Sequence, residues 1–161
     1  MKHRRRTRLV AILLALCAAQ GAEAEVVGTN RNAELDELSG LAVSRRNPGV
    51  LWAHNDSGDA PQLFAITPAG ALLGTYTLAG AAAVDWEDMA IGRDPDGGAD
   101  YLYVADIGDN ARVRPGIDIY RVREPAVDPS LHGTSNTLDR VERLRFVYED
   151  GPHNAETLLV D

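Results

Sequence analysis

The chain has 161 residues, with 24 Asp and Glu against 16 Lys and Arg, a net charge of −8 and one cysteine, Cys17. That acidity argues against nucleic acid as a partner, and one thiol excludes an internal disulfide framework.

A basic stretch (Lys2, Arg4, Arg5, Arg6, Arg8) runs into the apolar run Leu9 to Ala19, followed by the small-x-small pattern Ala22-Glu23-Ala24. This is the layout of a secretory leader over 1–24, cleaved after Ala24, and the apolar run is short of the ~20 residues that span a bilayer. A retained anchor, a twin-arginine signal and a lipid-bearing Cys17 are the alternatives, each with weaker pattern support. Losing the leader removes five basic residues, Glu23 and Cys17, and takes the net charge from −8 to −12. The mature chain is then expected to be secreted or periplasmic, without lysine, and with no membrane contact after signal removal.

From residue 35 onward the sequence repeats. Leu38-Ser39-Gly40-Leu41-Ala42-Val43 resembles Trp86-Glu87-Asp88-Met89-Ala90-Ile91, and both resemble Ala155-Glu156-Thr157-Leu158-Leu159-Val160. Each predicts a short strand. A second strand follows in two units, Leu51 to Asn55 and Leu102 to Asp106, across the turns Asn47-Pro48-Gly49 and Asp94-Pro95-Asp96-Gly97-Gly98. Third strands are expected at Leu63 to Ile66 and Ile119 to Val122, and fourth strands at Leu72 to Leu78 and Leu144 to Tyr148. Between the last two, Glu124 to Arg140 is polar, contains Pro125 and Pro129, and is expected to be an inserted loop.

Four-stranded antiparallel units repeating at about fifty residues predict an all-β fold, a β-propeller. On this reading blade one covers about 35–80, blade two about 84–149, and about 154–161 is the first strand of a third blade. Closure takes at least about four blades, so the expectation is an N-terminal part of a longer propeller, the alternative being self-assembly of partial rings.

Three polar clusters mark matching places: His54-Asn55-Asp56-Ser57-Gly58-Asp59, Asp85-Trp86-Glu87-Asp88, and Asp106-Ile107-Gly108-Asp109-Asn110. Hairpin geometry gathers them at one rim. Oxygen-rich loops of this kind suit calcium, which takes six to eight oxygen ligands. Glu87 and Asp88 lead the candidate ligands, followed by Asn55, Asp56, Asp106, Asp109 and Asn110, with Glu156 aligned to Glu87. The competing reading is that Asp, Asn, Ser and Gly dominate these turns for their own backbone hydrogen bonds. No glycine-flanked serine elbow is present. Trp52, Trp86, Tyr101 and Tyr103 are expected to pack rather than to bind sugar.

The order of these motifs, from Leu38-Ser39-Gly40-Leu41-Ala42 through His54-Asn55-Asp56-Ser57-Gly58 and Asp85-Trp86-Glu87-Asp88-Met89-Ala90 to Leu102-Tyr103-Val104-Ala105-Asp106-Ile107-Gly108-Asp109-Asn110, resembles exported bacterial propellers of the TolB-like, phytase-like and SdiA-regulated kind. The resemblance implies six blades, often with calcium. It leaves activity open, because propellers host hydrolases and binding scaffolds alike. The expectation is a calcium-binding scaffold that presents its rim to a small-molecule or protein ligand. The alternative is a metal-dependent hydrolase of phosphate or carboxylic esters, with His54, Arg112 and Arg114 meeting the substrate.

Overall fold

The described residues form nine strands and no helix, most strands built by apolar side chains alternating with polar ones. The computed structural model describes residues 25–94, 97–130 and 132–161, so the expected leader lies outside the described residues. In chain order the strands are β1 (Leu38–Val43), β2 (Leu51–Asn55), β3 (Gln62–Ile66), β4 (Leu72–Leu78), β5 (Trp86–Arg93), β6 (Asp100–Asp106), β7 (Ile117–Arg123), β8 (Thr134–Leu138) and β9 (Val141–Phe146). They form two sheets, ordered β1-β2-β3-β4-β8 and β5-β6-β7-β9. All pairings are antiparallel except β4 with β8, which is parallel.

Period-two alternation decides which residues meet. Trp52, Leu63, Ala65, Leu73, Tyr76 and Leu78 of the first sheet share one apolar core with Trp86, Met89, Leu102, Val104, Tyr120 and Val122 of the second. The residues between them, Ala53, Phe64 and Ile66, turn to the opposite face of the first sheet, where Leu35 covers them. Burying a side chain of this size is worth about 1.5–3 kcal/mol, so β2 and β3 are held from both faces. Trp52 meets Tyr76 edge-on at 5.0 Å, while Trp86 donates its Nε1 hydrogen to the Ala82 carbonyl at 2.9 Å. Both tryptophans are fully buried packing residues, as expected.

A buried carboxylate ties the sheets together. Glu124, just beyond β7, is 1% exposed and accepts from the Ser44 hydroxyl, from Trp52 Nε1 at 2.9 Å, from Asn47 Nδ2 at 3.3 Å and from the Arg46 amide at 3.1 Å. All four donors belong to β2 or to the turn before it. Nothing in the repeat pattern singled out this residue.

Three expectations need correction. The segment Glu124 to Arg140 is not wholly a loop, because Thr134–Leu138 leaves the second sheet and joins the edge of the first as β8. Thr-Ser-Asn-Thr-Leu has no apolar alternation, so its ladder with β4 carries the pairing. Residues 154–161, expected as a strand, have no strand assignment and no partner strand among the described residues. They lie along β5, where Leu158 donates its amide to Asp88 Oδ2 at 2.9 Å and Val160 presses on Gly92. The last strand of the second sheet also begins earlier than expected, at Val141, and ends at Phe146.

Candidate metal centre

β1 runs beside β5, which brings the end of β2 and the start of β5 to one junction. The Ser39 hydroxyl donates to the Glu87 carbonyl at 2.8 Å, and Gly40 leaves room for the His54 ring, since a Cβ there would sit 2.2 Å from His54 Nε2. At this junction one carboxylate oxygen from each of Asp56, Asp85 and Glu87 lies within 4.8 Å of the others. Asp85, in the bend before β5, and Glu87, the second residue of β5, are brought together where the β5–β6 ladder shifts register between Trp86 and Asp88. Asp56 arrives from the turn after β2, where its amide donates to the Glu37 carbonyl at 2.9 Å.

Gly108 completes the cradle. Its amide donates to the Asp85 carbonyl at 3.1 Å, and a Cβ added to it would lie 2.2 Å from Glu87 Oε1 and 2.4 Å from Asp85 Oδ2. Only a residue without a side chain lets both carboxylates approach the backbone so closely. Three partly buried carboxylates at this spacing repel one another, which disfavours their charged forms. Burial, then the contact with Glu156 and the charges of Glu156, Asp56 and Asp85, pushes Glu87 up to about 7. Asp85 is also raised, first by burial and then by the Asp56 charge, against the pull of Arg114 and the Ser57 hydroxyl. A hard divalent cation would relieve the same repulsion with no proton needed. Asp56, Asp85 and Glu87, with Glu156 at their margin, could hold a hard divalent cation through their carboxylate oxygens.

The expected ligands thus separate into groups. Glu87 and Asp56 converge, and Glu156 touches Glu87. Asp85 lies with them although it was not among the expected ligands; its place in the acidic run Asp85-Trp86-Glu87-Asp88 was the signal that could have placed it. Asp88 faces elsewhere, bonding its own neighbour Met89 and the amide of Leu158. Asn55 is buried, donating to the Glu34 carbonyl at 2.8 Å and to Asp59 at 2.6 Å.

Asp106 and Asp109 are already engaged within the protein. Asp106 is fully buried, pairs with Arg114 at 2.8 Å and accepts the Asp85 amide at 3.0 Å. Asp109 takes the Val113 and Arg114 amides at 2.9 and 2.7 Å. Desolvation would raise its pKa, but these amides and the Arg114 charge hold it below the usual carboxylate range. Asn110 is exposed at the turn, 3.4 Å from Asn154.

The expected substrate residues separate in the same way. His54 is 0% exposed, packs edge-on against Trp86 at 5.5 Å and contacts the Asn55 carbonyl through Nδ1 at 2.7 Å. Its Nε2 has no hydrogen-bond partner, and burial lowers its pKa against the Asn55 and Asp88 carbonyls and the Asp88 and Asp56 charges. Arg114 is spent on Asp106 and on the Gly108 carbonyl at 2.6 Å. Arg112 alone of the three is exposed, in a left-handed conformation with φ 54°. Comparison with protein-family models, curated proteins and solved structures returns no match for this chain.

Proposed function

We propose that this chain is part of an exported, calcium-binding β-propeller that acts as a scaffold, presenting the rim that holds Asp56, Asp85 and Glu87 to a small-molecule or protein ligand outside the cytoplasm. The observation that carries the reading is the convergence of these three carboxylates from two sheets. A propeller arrangement is supported by a repeated contact. Gly40 of β1 lies against the amide of Met89, one position past its counterpart Asp88, and Asp88 of β5 accepts the amide of Leu158, one position past its counterpart Thr157. The segment 154–161 therefore stands to β5 as β5 stands to β1, the relation expected of successive inner strands around an axis.

Calcium titration of the purified protein by calorimetry, beside the Asp85→Asn/Glu87→Gln variant, tests this. Saturable binding that the variant loses supports the site, and binding left unchanged in the variant refutes it. A second reading, a metal-dependent hydrolase of phosphate or carboxylic esters, draws on Arg112, an exposed cation in the loop that also carries Gly108. Chelator-sensitive turnover of an ester panel would favour it over the scaffold.

A further inference from the structure

The first sheet ends in an open edge. β8 pairs with β4 along its whole length, Gly74 with Thr134 through Leu78 with Leu138, without a bulge. The Leu138 carbonyl accepts from the Ala79 amide at 3.0 Å, so Leu138 directs its backbone groups towards β4. Backbone groups alternate sides along a strand, so Ser135 and Thr137 direct theirs outward. Both residues are exposed, and no strand flanks β8 on that side among the described residues.

Edge strands are normally guarded by charge, proline or a bulge. The other outer edge is guarded in this way: β9 carries Glu142, Arg143 and Arg145, engaged with Arg121 and Asp118. β8 has none of these, because Thr134-Ser135-Asn136-Thr137-Leu138 contains no charged residue and no proline.

We propose that β8 is a self-association edge, at which two copies of this chain pair their β8 strands antiparallel about a two-fold axis through Asn136. In that register Ser135 of one copy faces Thr137 of the other, and each pair exchanges both backbone hydrogen bonds. Every outward amide and carbonyl of these two residues is then satisfied in both copies. The match extends to side chains, since Ser and Thr hydroxyls lie side by side across the pair and Asn136 meets its own counterpart. An unrelated extended peptide could take the backbone bonds but not this hydroxyl-to-hydroxyl pairing. Beyond the strand ends, Asp139 faces Gly133 and Arg140 faces His132 of the other copy, so no two acidic side chains meet despite the net charge of −8. The contact is isologous and closes on itself, giving a dimer rather than a fibre. One short edge buries little area, so the dimer is transient.

Sedimentation velocity of the purified chain across roughly two decades of concentration tests this. The expected result is a weight-average mass rising from monomer towards dimer. Ser135→Lys, which places a charge on the exposed edge, and Thr137→Pro, which deletes one outward amide, should each hold the protein at monomer mass with an unchanged circular dichroism spectrum. If Thr137→Pro disturbs folding, Ser135→Lys decides alone, because it alters only an exposed side chain. A wild-type protein that stays monomeric throughout overturns the proposal, as does association that persists undiminished in the variants.

Discussion

Replacing Glu124 by alanine tests how the two sheets are joined. The carboxylate takes four donors, and two of them, Trp52 Nε1 and Asn47 Nδ2, are on buried residues. Asn47 keeps a second acceptor in the Pro125 carbonyl at 3.0 Å, so the main orphan is the indole N–H of a fully buried tryptophan. Stranding that donor costs about 1–3 kcal/mol, and losing the part-buried bonds from Ser44 and the Arg46 amide, whose donors water can reach, adds about 1 kcal/mol each. The expected loss is therefore about 3–5 kcal/mol, a large share of the ~5–15 kcal/mol that holds a domain of this size. Urea unfolding followed by tryptophan fluorescence measures it as a lower midpoint at unchanged slope. A double-mutant cycle with Trp52→Phe isolates the indole bond, because the volume lost on going to phenylalanine cancels between backgrounds. A drop below about 1 kcal/mol for Glu124→Ala, with no coupling to Trp52, would mean that water satisfies these donors and that the latch is not structural.

Two further outcomes concern the carboxylate cluster. Glu87 has its pKa in the folded protein raised from 4.5 to about 7. Its contribution is thus fully present below about pH 4.5 and lost as pH rises through about 7, so without added cation the melting temperature should fall across that window, and Glu87→Gln should flatten the decline. A wild-type profile as flat as the variant's contradicts the clustered geometry. Gly108→Ala places a Cβ 2.2 Å from Glu87 Oε1 and should weaken calcium binding about tenfold or more, ~1.4 kcal/mol, while the β-sheet spectrum is kept; equal affinity by calorimetry counts against the cradle.

The strands of both sheets were largely legible because β-branched and aromatic residues alternate between recognisable turns. Positions such as Trp52, Leu63 and Val104 fall on the buried face by period alone. What escaped was pairing that leaves no apolar trace. β8 is polar and held by its ladder to β4, and Glu124 is one acidic residue beside a proline in a polar stretch. The site was legible as a cluster but not as a geometry. Asp85, from the bend before β5, and Glu87 converge, whereas Asp88, the next residue of β5, bonds the Met89 and Leu158 amides instead. Asp106 and Arg114 find each other across eight residues only once the loop between them has folded, which pairs them with each other.

The path of the chain through β8 bears on how the protein assembles. Thr134 contacts Leu73 across 61 residues, and only two residues separate the end of β8 in the first sheet from the start of β9 in the second. The first sheet cannot acquire its last strand until nearly all of the second has been synthesised, and β9 cannot dock until that excursion is over. The slow step of folding should therefore be this late, long-range closure, not the formation of the early hairpins. Neither half is a finished product alone, and a nick between Leu138 and Val141 would release two edges at once.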